Sequence, residues 1–597
     1  MKMKKNIFVI VALVAVAMMG CDFLDHEPDM RASINTKEKV QLLLVSAYTE
    51  ANSAAICEYS SDQVIDNNVP DPKTGQANAV VPLSEMYNEI FAWRPVKSNG
   101  SQDSPKYIWD GNYTAIATAN QALKAIEKLE AQGIKMNAEK GEALLCRAYH
   151  HFLLAGVFCH AWKNEEESKK DLGITYMLTP ETKVAPEYTR GPELVVNVDE
   201  YGDTAWIGGS LYDTYMAIEK DLEEGLKLVS DEYYTVPRYH FNTKAAHAFA
   251  ARFYLYKRDW AKVVEHADYV LTTSDETVLS ILYDAQTGRD QSNIELAFNH
   301  YIDPKAPSNL LIHTTMSSAA YAHFPAYGRY QHSGDAQNFS TYGSGPCWSS
   351  QFPGFGLWSA DQKLGGFCAK DYYVFEYTDK VNGYGYVHGV TRAFTTNETL
   401  LCRAEAKIYL NDLAGAANDL RLWCQGYNVN ARMDTLPDGN VNLTVEKITN
   451  FYTDKYGTKF APELHNQDMS ADWVISAEQL PLVYCAIHFR RIEGLHDGIR
   501  WHDIKRYGIE IEHKQGKDPA RVLVWNDDRR AIQLPQEVIM AGLTANPREV
   551  LGDQLDEHQA PSHNLQPNDV YTPSTPTTYS GWAQPKGDLK VMGDDEE

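Results

Sequence analysis

Residues 489–508 read F-R-R-I-E-G-L-H-D-G-I-R-W-H-D-I-K-R-Y-G, and the reading of this stretch decides the fold. Arg491 with Glu493, and Arg500 with Asp503, sit at spacings that suit charge-assisted pairs fixed on a helix, and Trp501 can pack beneath them. Charges held in this way are scaffold. His496 and His502 lie beside Asp497 and Asp503, and imidazole next to carboxylate can support acid–base work or a metal. The plainer reading, a charged structural helix end, is the one taken here.

Helical pattern extends outward from this segment. Leu211, Tyr215, Ile218, Leu222, Leu226 and Val229 recur in steps of three and four, which predicts one amphipathic helix. Asn242-Thr243 offers a cap for a helix through Ala248, Ala251 and Leu255. Lys257-Arg258-Asp259 breaks it, and Trp260, Val263, Val264, Ala267 and Val270 begin another. Residues 398–424 repeat the plan, with Leu401, Ala404 and Ile408, a turn at Asn411-Asp412, then Leu413, Ala417, Leu420 and Cys424. Two helices with alanines at the contact positions and a tight polar turn between them resemble a tetratricopeptide hairpin. Residues 106–132 and 139–162 read as a further pair. Between the pairs lie long non-helical segments at 52–105, 163–209 and 274–395, rich in Pro, Asn, Asp and Gly or in Gly and aromatics. Ordered insertions of this length in a helical scaffold usually hold the function.

The two ends differ from the body. Lys2, Lys4 and Lys5 precede an apolar run from Ile7 to Met19, closed by Gly20-Cys21. Such a run spans about 20 Å as a helix, short of a bilayer core of about 30 Å, so it reads as a signal peptide and not an anchor. A small residue before cysteine resembles the lipobox of bacterial lipoproteins, whose rule cuts before Cys21 and acylates it; Met18 and Met19 replace the usual residues. Acyl chains at ~0.8 kcal/mol per buried methylene would hold the protein on a membrane. Residues 22–35 look like an acidic tether, and the proline-bearing tail 552–597 reads as extended.

A net charge of −25 argues against nucleic acid and anionic membranes, because both need a basic face. The 36 Tyr, 12 Trp and 19 Phe suit surfaces that grip uncharged, amphipathic ligands such as sugars, although most aromatics fill a core. Apart from Cys21, the cysteines (57, 146, 159, 347, 368, 402, 424 and 485) are irregularly spaced in helix-like contexts and read as mostly free. There is no H-E-x-x-H, G-x-S-x-G, P-loop or dinucleotide fingerprint. His150, His151 and His160 share one helix-like run but do not converge, so no metal is expected. Two well-placed carboxylates would suffice for a glycosidase, and the sequence does not exclude such a pair.

The 489–508 stretch closely resembles the C-terminal signature of the SusD/RagB family of outer-membrane nutrient-binding lipoproteins. Arg491, Glu493, Arg500, Trp501, Asp503, Lys505, Arg506 and Gly508 fall in place, with Phe489 where Glu is common. Asp527-Asp528-Arg529, Gln533-Leu534-Pro535 and Asn546-Pro547 resemble the family's closing segment. The helix 400–410 with Arg403, Ala404, Glu405 and Ala406, the run through Arg147, Ala148, Leu154 and Phe158, and the opening C-D-F-L-D also resemble it. The resemblance implies a mostly α, SusD-like fold with four tetratricopeptide-like hairpins and a loop-rich variable region. It implies residues 1–20 as lipoprotein signal peptide and 21–597 as one domain. Helical pairs are expected near 36–50/106–162, 211–272, 398–424 and 476–508, with ligand-side insertions at 52–105 and 274–395. It also implies a surface lipoprotein that binds glycan, without catalysis or cofactor, and delivers it to a SusC-like TonB-dependent transporter.

The alternatives are a peptide-binding member of the family, a glycoside hydrolase lipoprotein, and a scaffold without small ligand. The candidate ligand residues come from two segments outside the helical pairs. From 62–93 they are Asp66, Asn67, Asn68 and Trp93, with Tyr87 nearby. From 321–373 they are Tyr327, Tyr330, Trp348, Phe355 and Trp358. Trp348, in S-G-P-C-W-S-S, is placed first, because Gly345-Pro346 can set a turn that holds the indole outward; otherwise it locks the loop to the core.

Overall fold

The computed structural model describes residues 34–548 apart from 72–73, 83, 98–101, 181–187, 200–201, 318–328, 333–342, 350, 355–356, 359–366, 373 and 456. Helix Pro105–Glu130 starts where Ser104 accepts a hydrogen bond from the Tyr107 amide, and Pro105 fills the first turn, where no helical bond is lost. Its buried stripe packs on helix Asn137–Phe158, which helix Leu211–Leu228 covers from another side, so the middle helix is buried nearly all round. Glycine sets how closely these elements approach. A Cβ on Gly141 would stand 2.4 Å from the Val229 amide nitrogen, and one on Gly225 2.8 Å from Leu145 Cγ.

His150 and His151 lie on the middle helix, whereas His160 lies beyond its end. Each ring of the first two is fully used: Nδ1 donates to the carbonyl of Cys146 or Arg147, and Nε2 accepts from the Thr49 or Met177 amide. Burial holds both below the usual imidazole range, His150 at about 3. They pin the helix to a loop at Thr49 and to the strand Tyr176–Met177.

Two further helical hairpins share one grammar. Helix Thr243–Lys257 ends at Arg258 in a left-handed conformation, and Asp259 then caps helix Trp260–Leu271 by accepting from the Lys262 amide. Between Thr396–Tyr409 and Leu413–Gly426, Asn411 is left-handed and Asp412 accepts from the Gly415 amide. A left-handed residue followed by an acidic cap reverses the chain within the two or three residues between the helices. The hairpins pack on each other, and Arg403 binds across them. It makes a bidentate pair with Asp419 at 2.9 and 2.8 Å and reaches Asp268 at 2.8 Å.

The signature occupies helices Leu480–Glu493 and Ile499–Tyr507, and Trp501 is wholly buried. The ion pairs differ from those expected. Arg491 and Arg500 both turn to Asp62, Arg500 with two contacts of 2.9 Å. Asp503 instead meets Arg490 at 3.1 Å and Arg506 at 3.0 Å, and the same two guanidiniums hold Glu405. Glu493 accepts from Trp423 Nε1 and the Tyr427 hydroxyl, both at 2.9 Å. Residues two apart on a helix do not face each other, so Arg491 and Glu493 find partners on distant elements. His496 is buried and His502 partly so; desolvation, then Lys505 and other cations, lowers His502 to about 3.

Short antiparallel sheets interrupt the helices. Asn309–Thr315 pairs with Tyr384–Thr395, whose other edge takes Val374–Asp379. Val64–Asp66 pairs with Tyr330–His332. Among the described residues, no helix is long and apolar enough to cross a membrane.

Candidate ligand-binding surface

The pairing of Val64–Asp66 with Tyr330–His332 brings the two candidate segments together, with Asp66 opposite Tyr330. Asp66 is buried and accepts from Arg329 Nε at 2.9 Å and Nη2 at 2.7 Å, and from the Gly516 and Asn68 amides, each at 2.9 Å. Arg329 is pushed above its usual range by that hydrogen bond to Asp66. The Tyr330 hydroxyl donates to Asn88 Oδ1 at 2.5 Å and accepts from Gln515 Nε2 at 2.7 Å, while its ring stacks on Phe91 at 4.5 Å. Asn68 clasps Val80 through both ends of its amide, at 2.8 and 2.9 Å, and the Asn67 carbonyl accepts from Asn78 at 2.9 Å. These polar groups brace the base of the 66–80 loop, which leaves them little capacity to contact ligand directly.

Trp348 is not outward. It is 5% exposed, its Nε1 donates to the Gly343 carbonyl at 2.8 Å, and it packs against Phe352 and Phe489. Gly345 and Pro346 do set a turn, closed by hydrogen bonds between Gly345 and Trp348, but the turn points the indole inward. A Cβ on Gly345 would lie 2.3 Å from the indole. An outward indole would expose a large apolar face that Phe352 and Phe489 bury instead. Trp93 is likewise buried, donating to the Ser60 carbonyl at 2.9 Å and stacking on His513 at 4.2 Å. Tyr87 is buried against Tyr59. Trp358 lies in a two-residue strand opposite Phe367. Tyr327, Phe355 and Cys21 lie outside the described residues.

Three exposed tyrosines stand immediately after the second segment; among the described residues, Tyr239 and Tyr269 are also exposed, on other elements. Strands Val374–Asp379 and Tyr384–Thr395 form a hairpin in which Tyr377, Tyr384 and Tyr386 are 53%, 52% and 57% exposed. Its turn is built by Asp379, which accepts from the Val381 and Asn382 amides at 2.9 and 3.1 Å, and by Gly383 at φ 77°. Gly385 stands opposite Tyr377, and a Cβ there would lie 2.1 Å from the Glu376 carbonyl oxygen and 2.7 Å from Phe375, so the close approach of the paired strand requires glycine. Tyr386 stands opposite Glu376, whose carboxylate lies 2.7 Å from His388 Nε2. Exposed ring faces beside a carboxylate, an imidazole and the Thr378 hydroxyl offer both stacking and hydrogen bonds. The signal was present in sequence, as alternating aromatics around Asn382-Gly383. Among the described residues no three His, Cys, Asp or Glu side chains converge as metal ligands.

Residues 22–255 match the SusD-like family model described as starch-binding and associating with the outer membrane. No curated protein matches the chain. A SusD-like carbohydrate binding protein from Bacteroides vulgatus ATCC 8482 superposes with TM-score 0.51 at 15% identity, covering 85% of this chain and 97% of its own. A candidate sugar-binding protein of the same strain gives 0.56 at 15%, covering 86% and 99%. A SusD superfamily protein from Bacteroides thetaiotaomicron VPI-5482 gives 0.51 at 12%, covering 86% and 99%. At such identities the structures attest the fold alone. Over residues 22–255 the sequence is similar to the SusD-like family, and the chain shares the fold of SusD-like proteins.

Proposed function

We propose that this protein is a non-catalytic carbohydrate-binding lipoprotein of the outer membrane. In this reading Cys21 carries the lipid, the protein faces the cell exterior, and captured oligo- or polysaccharide passes to a SusC-like TonB-dependent transporter. The observation that carries the reading beyond the resemblance is the pair Tyr384 and Tyr386, half exposed on the hairpin face that also carries Glu376 and His388, with Tyr377 half exposed on the other face. A buried phenol needs a partner for its hydroxyl, and an exposed phenol keeps a ring face free for the C–H face of a sugar. The hairpin is the ligand surface in this reading, and Tyr327, Phe355 and Trp358 of the same insertion remain candidate contacts. Contacts of this type bind each sugar weakly, and repeated units on a polymer raise the apparent affinity. Titration of a polysaccharide panel, with reducing ends assayed in the same samples, tests the proposal. Saturable binding of a glycan without new reducing ends is expected. Binding of peptides alone, or release of product, would replace it with one of the other readings.

A further inference from the structure

Three thiols gather beneath the 343–348 turn. Cys347 sits at the tip of the turn, Cys424 in the last turn of helix Leu413–Gly426, and Cys485 on helix Leu480–Glu493; all three are buried. The Cys347 thiol donates to Cys424 Sγ across 3.5 Å. The Cys485 thiol is engaged instead by the Tyr452 hydroxyl. Cys347 also has Met433 Sδ at 4.0 Å, so the surroundings of the pair are apolar and sulfur-rich.

We propose that Cys347 and Cys424 close to a disulfide when the chain folds in an oxidising compartment. A sulfur–sulfur bond is about 2.05 Å long, so the remaining approach from 3.5 Å is about 1.5 Å. Cys424 is fixed on a helix, whereas Cys347 belongs to a turn held by two hydrogen bonds between Gly345 and Trp348 and one from the Asp434 amide to the Cys347 carbonyl, so the turn is the side that yields. The oxidant is a disulfide of the glutathione or thiol-oxidase class. The Cys347 thiolate attacks one of its sulfurs, forming a mixed disulfide and releasing the other sulfur as a thiol. The Cys424 thiolate then attacks Cys347 Sγ and expels the second. The two protons and two electrons lost by the cysteines end on the oxidant's two thiols.

Timing follows from burial. In the folded protein, desolvation and the hydrogen bond with Cys347 push the Cys424 thiol well above its ordinary range, so thiolate is scarce. Closure therefore accompanies folding, before the core excludes the oxidant. The bond would staple the base of the 274–395 insertion to a rigid helix, whatever ligand the insertion takes.

The test uses the full chain, reduced and denatured, then refolded with a mixture of reduced and oxidised glutathione. It is next unfolded in acid, alkylated and digested. A peptide linking Cys347 to Cys424 is expected, absent from Cys347→Ser and Cys424→Ser and present in Cys485→Ala. Oxidised glutathione added to folded, reduced protein should leave both thiols open to later alkylation. Full alkylation of a chain whose circular dichroism shows refolding, or a link to Cys485, overturns the proposal. If refolding fails, the same alkylation on protein exported to a host periplasm decides, and two free thiols there overturn it equally.

Discussion

Replacing Trp348 by alanine separates a core residue from a ligand contact. The indole is 5% exposed, lies between Phe352 and Phe489, and donates to the Gly343 carbonyl. A tryptophan buries about 150–250 Å², worth ~4–6 kcal/mol at 25 cal/mol per Å² as an upper bound. Truncations of buried tryptophan cost about 3–5 kcal/mol once the cavity is included. Loss of the hydrogen bond to Gly343 adds to this, because the carbonyl keeps no donor from the indole. Domains are stable by only about 5–15 kcal/mol, so the effect is large. Urea unfolding, read by circular dichroism, should show a loss of about 3 kcal/mol or more. Glycan affinity, measured where the variant is still folded, should stay within about twofold, less than 0.5 kcal/mol. Unchanged unfolding together with lost affinity would refute the placement and restore the outward indole.

Glu405→Gln should cost about 3–5 kcal/mol, since it leaves Arg490 and Arg506 facing one buried carboxylate, Asp503; a loss under about 1 kcal/mol in urea unfolding would show that the network is not dry. Stability should fall as the pH drops from 6.5 towards 3, because burial lowers His150, His160 and His502 to about 3 from 6.5. In that window the unfolded chain takes up protons that the native chain does not, at up to about 1.4 kcal/mol per pH unit for each histidine. Urea midpoints that are equal at neutral pH and at about pH 5 would contradict this. Cys21→Ala should move the protein from the membrane fraction to the soluble one, and retention in the membrane would count against lipid attachment.

The helical scaffold was legible because its signals are local. Steps of three and four marked Leu211–Leu228, and Arg258-Asp259 and Asn411-Asp412 marked turns whose chemistry needs only neighbouring residues. The signature located a pair of helices but not its partners, since Asp62 and Glu405 reach it from far along the chain. That the two candidate segments meet, at Asp66 with Arg329, was not legible, because the two residues lie far apart along the chain. Which aromatics face outward was not legible either. Trp348 and Tyr386 stand in similar Gly-rich surroundings, and only the packing of Phe352 and Phe489 turns one of them inward. The hairpin was passed over because the candidate segment stopped at residue 373, one short of the strand Val374–Asp379.

The measurement closest to the central claim is the affinity of the triple variant Tyr377→Ala, Tyr384→Ala, Tyr386→Ala for the glycan that the intact protein binds. The three rings are exposed, so unfolding free energy should change by less than about 1 kcal/mol. Binding should weaken by at least tenfold, about 1.4 kcal/mol, because the exposed rings on both faces of the hairpin have been removed. Full affinity in the folded variant would contradict the account and move the ligand away from the hairpin.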